Sequence, residues 1–190
     1  MTADIKPRAL ALVGMPGSGK SLCAEYLEAK GFFKFRFGQI VVDEVARRGL
    51  PLTPDNERTV REDLRHDGGI NAIAERALPV LQEGLETHNS IIIDGLYGFG
   101  EYKLLKAGLG AAMVVLAIVA DRGVRYERLS RRPERPLSPI EALARDTREI
   151  ENLEKGGPIA IADYTLLNNG TQSELLSHLD KLTGKLSLTP

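Results

Sequence analysis

Short apolar runs alternate with stretches of helical spacing along the whole chain. Leu10 to Val13 is unbroken and apolar, which predicts a first strand. Ser18 to Lys30 follows with a helical pattern and closes at Gly31, a residue suited to the left-handed turn after a C-cap. The stretch "FFKFRF" (32–37) alternates, with Phe33, Phe35 and Phe37 on one side and Lys34 and Arg36 on the other, and predicts a strand near a sheet edge. Ile40 to Arg48 reads as a short helix stopped by Gly49 and Pro51. Thr53 then reads as an N-cap, with Pro54 at the first helical position and Asp55 and Glu57 in the first turn.

"DGG" at 67–69 predicts a break. The helix after it carries Ile70, Ile73, Ala74, Ala77, Leu78 and Leu81 at helical spacing, with a kink expected at Pro79. "SIIID" (90–94) and "AAMVVLAIV" (111–119) are continuous apolar runs of the kind that suit central parallel strands. A helix from about Arg122 to Arg131 leads into the proline-broken loop "RRPERPLSP". Ser138, Pro139 and Glu141 form a capping box that opens a helix ending before "GGP" (156–158). "YTLLN" (164–168) is the last predicted strand, and Thr171 with Glu174 boxes the start of a final helix. Together these elements predict an α/β fold, a three-layer sandwich with a five-stranded parallel sheet and helices on both faces. The segment at about 132–155 is then an excursion, a small lid above the carboxyl ends of the strands, where ligands bind in such sheets.

The length of 190 residues fits one domain, and 43% hydrophobic with 27% charged residues is a globular composition. A net charge of −1 offers no basic excess for a nucleic-acid partner. No apolar run is long enough for a membrane span, and "MTADIKPR" lacks the apolar core of a signal peptide. The single cysteine, Cys23, reads as a small buried residue of the helix after the glycine turn and fits a reducing compartment. The expectation is a cytoplasmic protein.

The chemistry enters with "GMPGSGKS", Gly14 to Ser21, which matches G-x-x-x-x-G-K-[ST] after a strand and before a helix. Backbone N–H groups from Gly14, Gly17, Ser18, Gly19 and the helix start through Leu22 can cradle two phosphates, with Pro16, which has no N–H, contributing only shape. In this motif Lys20 reaches the β- and γ-phosphates and the Ser21 hydroxyl ligates Mg²⁺, so ATP and Mg²⁺ are the expected ligands. Asp94 ends an otherwise apolar strand at the same sheet edge, where it can hold Mg²⁺ or orient an acceptor hydroxyl. Residues 122–148 hold eight arginines and no lysine. Of these, Arg128, Arg131 and Arg132 lead into the loop, and Arg145 and Arg148 are three apart on the returning helix, a spacing that places them on one face. Between strands two and three, Arg47, Arg61 and Arg65 belong to a helical lobe able to cover an acceptor, with Arg65 the candidate for its anionic group. His66 and His88 are isolated and read as surface residues. No guanine-reading Asn-Lys-x-Asp pattern lies near the last strands, which favours ATP over GTP.

The order of cradle, short second strand, helical lobe, "IIIDG", "RYERLSRR", "ARDTRE" and "NNGT" resembles the adenylate-kinase-like P-loop kinases over about residues 8 to 184. It is most similar to dephospho-CoA kinases and to an archaeal group of ATP-binding P-loop proteins, the latter through "RGLPLTPDN", "RYERL", "ARDTRE" and "AIADYTLLNNGT". The resemblance implies a phosphotransferase with an acceptor lobe at about 39–86. It implies that Arg128, Arg132, Arg145 and Arg148 close on ATP phosphates, and that Asn168 and Gly170 lie against adenine. Two positions depart from the pattern. Relatives carry Asp in a Gly-Asp pair after the second strand, where this chain has Gln39, and the archaeal group carries arginine where it has Tyr97. In the dephospho-CoA kinases the first position supplies the carboxylate assigned to the acceptor's proton. Two readings follow: a kinase for a small phosphorylated acceptor such as a nucleotide, or a nucleotide-binding switch or slow ATPase that acts on a partner protein.

Overall fold

All five predicted strands enter one sheet. In the computed structural model, residues 8–190 are described; the expectation that "MTADIKPR" carries no signal-peptide core falls, apart from Arg8, outside them. The elements run β1 (Ala9–Val13), α1 (Lys20–Ala29), β2 (Phe33–Arg36), α2 (Phe37–Arg47), α3 (Pro54–Gly68), α4 (Ala72–Thr87), β3 (Ile91–Asp94) and α5 (Phe99–Leu109). After a 3₁₀ turn at Gly110–Ala112 come β4 (Met113–Val119), α6 (Arg122–Ser130), α7 (Pro139–Leu153), α8 (Gly156–Ala160), β5 (Tyr164–Leu167) and α9 (Gln172–Lys185). The sheet order is β2-β3-β1-β4-β5, and every pairing is parallel.

Strand periodicity sorts the side chains of β1 onto two faces. Ala9, Ala11 and Val13 join Ile91, Ile93, Val115 and residues of α2 to α5 in one core. Leu10 and Leu12 join Ile92, Leu116, Ile118 and residues of α1 and α9 in the other. Because both faces are covered, β1 has no polar position at all, which is why it reads as a continuous apolar run. Its neighbour β3 is in register with it so that Leu12 lies opposite Asp94. The carboxyl ends of these two strands therefore deliver the glycine turn and the one acidic strand residue to the same edge.

Four local readings are corrected. Phe37 is the first residue of α2 and not the last of β2. β2 pairs with β3 only as far as Arg36 opposite Asp94, where β3 ends, and Phe37 then starts the buried helical series Phe37, Val41, Val45. Ile70 lies outside α4 and is 46% exposed, because Gly69 with φ 80° turns the chain before the helix begins at Ala72. The "GGP" segment, read only as a stop, forms the short helix α8 after Glu154 takes a left-handed φ of 52°. Helix α1 also starts two residues later than Ser18, at Lys20, since Gly19 is its left-handed cap. By contrast, the Thr53 cap and the boxes at Ser138–Glu141 and Thr171–Glu174 form as expected. No helix among the described residues is long and apolar enough to cross a membrane.

Candidate functional site

The turn between β1 and α1 is held open by glycine and braced from outside. Gly17 has φ 79° and Gly19 φ 100°, so both occupy the region disfavoured for other residues. A β-carbon on Gly17 would stand 2.7 Å from the Arg125 carbonyl, and one on Gly19 would run into the Asn168 amide. The turn therefore has the bare backbone that close approach of phosphate requires. Arg125 Nη1 donates to the Pro16 carbonyl at 2.9 Å, and Asn168 Nδ2 donates to the Ser18 carbonyl at 2.7 Å. Arg125 is in turn fixed by a bidentate pair to Asp146, at 3.1 and 2.6 Å, with both side chains only 8% exposed. The cradle is thus clamped between α6–α7 on one side and the end of β5 on the other.

Lys20, the first residue of α1, donates to Asp94 Oδ1 at 2.5 Å. The pair spans the ends of β1 and β3 and ties the motif lysine to the strand-end carboxylate. Beside it opens a cleft of about 100 Å³ lined by Gly14 to Ser18, Lys20, Ser21, Tyr97, Arg132, Arg145 and Lys155. Lys20 Nζ lies 5.9 Å from the centre of the Tyr97 ring and Lys155 Nζ lies 4.6 Å from it. Glu149 accepts from Arg145 at 2.9 Å and from Lys155. Burial pushes the Glu149 carboxyl up, but Lys155 and Arg145 outweigh it and hold it below the ordinary carboxylate range. Burial pulls the Lys155 ammonium below the usual lysine range, more than Glu149 raises it. Burial lowers Arg132 as well, with Arg145 adding like-charge repulsion. The cleft is rich in cations, with Lys20 and Lys155 enclosed and Arg132 and Arg145 on its open side, which favours an anion.

The expected arginines divide. Arg132 and Arg145 line the cleft. Arg148 is exposed and does not, because the inward stripe of α7 is Ala142, Asp146 and Glu149, and Arg145 flanks it while Arg148 falls on the outer side. Arg128 stands at the far side of the cradle, its Nη2 3.4 Å from Asn168 Oδ1 and its Nη1 buried without a partner. Asn168 is 5% exposed with its amide engaged at both ends inside the protein. Gly170 lies in the turn after it, where a β-carbon would meet the Glu174 carboxylate that caps α9.

On the lobe side, Gln39 is exposed and donates to Asp43 at 2.8 Å, one turn along α2. Arg47 pairs with Glu44 and Arg61 with Glu57 at 4.0 Å, both on their own helices. Arg65 is different. Its side chain is 23% exposed, its Nε is buried without a partner, and its Nη2 stands 3.9 Å from Glu101 Oε1. Glu101, 2% exposed, accepts from the Tyr97 and Gly98 amides at 3.1 and 3.0 Å, and burial raises its carboxyl above the usual range. His66 is exposed beside Asp67, whereas His88 is half-buried and stacks on Phe33 at 4.5 Å. Cys23 is fully buried, and its thiol is pushed up to about 12 by that burial.

The profile of the AAA domain family matches residues 10–161, which include the cradle, Asp94 and every cation of the cleft. A UPF0200/UPF0201 protein of Archaeoglobus fulgidus is 33% identical over 184 residues, 96% of this chain, and a UPF0200 protein of Thermococcus sibiricus is 33% identical over 182 residues, 94% of it. The chain belongs to the AAA domain family and to the UPF0200 proteins. It spans 57% of the length of the Archaeoglobus relative and 95% of the Thermococcus one. Among solved structures, shikimate kinase from Bacteroides thetaiotaomicron superposes with a TM-score of 0.61 at 14% identity, covering 95% of this chain and 99% of that one. At that identity the likeness concerns the fold, which is that of the P-loop kinases.

Arg125, Asp146, Lys155 and Glu101 had no place in the sequence reading. Arg125 was one arginine among eight, and its partner is 21 residues away. Lys155 carried a faint signal, as the first lysine after Lys106 in an arginine-rich stretch. Glu101 sat in the segment 99–109, which had been assigned to no element and forms α5.

Proposed function

We propose that this P-loop protein transfers the γ-phosphate of ATP to a small acceptor that carries its own anionic group, a nucleotide or related phosphorylated compound. The observation that carries the reading is the convergence of Lys20, Arg132, Arg145 and Lys155 on one cleft at the mouth of a glycine cradle. A cradle alone serves binding, while cations gathered beyond it suit the charge of a departing phosphoryl group. The chain is read as a single domain with an acceptor lobe at about 39–86 and a lid at about 132–155. It is also read as a cytoplasmic protein with no nucleic-acid or membrane partner.

In this reading the backbone of Gly14 to Leu22 holds the α- and β-phosphates, and Lys20 leaves Asp94 for the β- and γ-phosphates. Ser21 and Asp94 would hold Mg²⁺; a hydroxyl and a carboxylate oxygen suit that hard cation, and Ser21 opens onto the cleft while Asp94 is 16% exposed beside it. Bound there, the ion would screen phosphate charge and keep the nucleotide in register. Asp94, at the strand edge facing β2, orients the acceptor hydroxyl, and Arg132 and Arg145 close over the phosphates. Arg65, with an unpaired Nε and Glu101 too far for a hydrogen bond, holds the acceptor's anionic group beside Tyr97. On the far side of the cradle, Arg128, Asn168 and Gly170 border the base.

The test is ADP formation with ATP, Mg²⁺ and a panel of nucleotides, dephospho-CoA and small hydroxy acids. Turnover that depends on one acceptor is expected, and Arg65→Ala should raise that acceptor's KM about tenfold while leaving ATP affinity unchanged, the effect of losing one charge-assisted contact. A second reading, the switch or slow ATPase, is favoured by one observation: Gln39 is turned to Asp43 and supplies no carboxylate after β2. Acceptor-independent turnover that survives Tyr97→Ala and Arg65→Ala supports that second reading. Under the first, Gln39→Asp increases transfer; no gain with any acceptor leaves Gln39 a feature of α2 alone.

A further inference from the structure

The cation most enclosed at the cleft is one that the P-loop motif does not contain. Lys155 has a side chain 5% exposed, against 12% for Lys20. It is placed by the turn at Glu154, whose left-handed backbone reverses the chain between α7 and α8, and by the Lys155 amide bonding back to the Glu149 carbonyl at 3.3 Å. That turn points the ammonium into the phosphate cleft, over the ring that Lys20 also approaches.

Its charge is incompletely answered there. Glu149 is shared between Lys155 and Arg145, while Asp94 is taken by Lys20. Four cations line the cleft, and those two carboxylates pair with three of them, Lys20, Arg145 and Lys155. A lysine serving only to pin α7 to α8 would need Glu149 and a dry surround. This one faces the glycine cradle across an open cleft, and it repels Lys20 closely enough to be lowered by it. A terminal phosphate, with a charge near −2 at neutral pH, supplies what two shared carboxylates do not.

Resting on the kinase reading above, we propose that Lys155 is a second phosphate-binding lysine, which leaves Glu149 to contact the γ-phosphate of ATP together with Lys20. Lys155 then distinguishes a triphosphate from a diphosphate, and Glu149 is the resting partner that keeps it in place between ligands. Tyr97 is the platform under both ammonium groups.

The experiment is calorimetric titration of the full chain with a non-hydrolysable ATP analogue and, separately, ADP, each with Mg²⁺. Lys155→Met should weaken the analogue about tenfold and leave ADP within about twofold, because only the contact to the third phosphate is lost. Lys155→Arg should recover most of the difference. The ADP titration itself reports that the cradle is folded, and Lys155→Gln, which leaves a neutral amide over Tyr97, repeats the test should the methionine variant not fold. Equal weakening of both nucleotides, or of neither, in the folded variant overturns the inference. Wild-type protein that binds neither nucleotide overturns the kinase reading on which it rests.

Discussion

Around the phosphate cradle, charged side chains are enclosed and multiply held: Arg125 grips Asp146 and the Pro16 carbonyl, and Asn168 links Ser18 to Arg128. On the α2–α3 side, residues of the same types form a network around a half-buried Glu44, in which the Arg47 and Asp63 side chains are exposed. Glu44 takes Arg47 and Arg48, and Arg48 reaches Asp63 on α3, while the helices themselves meet through Val41, Val45, Val60 and Leu64. The first region spends buried polar groups on one backbone geometry. The second relies on apolar packing, which is non-directional, with ion pairs at its rim. Directional bonds suit a ligand whose shape never varies, as phosphate's does not. Apolar contact between side-by-side helices fixes no such geometry, and Gln39, on α2, lies on that side.

The largest effect expected comes from breaking the clamp. Arg125→Met leaves Asp146 as an unpaired carboxylate in a site 8% exposed, which costs about 3–5 kcal/mol. Urea denaturation measures it, and Arg125→Met with Asp146→Leu should regain a substantial part, since no buried charge is then left alone. A loss below about 1 kcal/mol for the single variant would remove the distinction between the two regions.

A smaller effect sharpens the same contrast from the other side. The hydrogen bonds from Arg47 and then Arg48 lower the Glu44 carboxyl from 4.5 to about 2. A depressed folded value means that the carboxylate's contribution is complete above the unfolded value near 4.5 and is lost as pH falls toward 2. Glu44→Gln should therefore flatten the fall in stability between those pH values and lower stability modestly at pH 7. An unchanged acid limb would show that the surface network on α2 and α3 contributes nothing.

Much of this architecture was readable from local chemistry. The three side-chain caps, the apolar runs of β1, β3 and β4, and the glycine cradle each depend on residues close in sequence or on burial on both faces, and each formed where expected. Phe37 shows where such reading stops. Its alternation with Phe33 and Phe35 fits a strand and its spacing to Val41 and Val45 fits a helix, and the length of β3 decides between them. The site divides in the same way. Lys20, Ser21 and Asp94 were legible from a motif and a strand end. Arg125 with Asp146 and Lys155 with Glu149 were not, because nothing within a few residues of either cation shows that the chain will bury it. The spacing of Arg145 and Arg148 suggested one face, but which of them looks inward depended on where Asp146 was needed.

In the proposed reading the cradle is a working ATP site whose charge is set by Lys20. Calorimetric titration of Mg²⁺–ATP into wild-type protein and into Lys20→Ala tests it most directly. Saturable binding to the wild type is expected, with a loss of about a hundredfold or more in the variant, which forfeits the ammonium contact to two phosphates and leaves Asp94 facing them unpaired. Equal affinity in the two proteins, or no binding to the wild type, would contradict it.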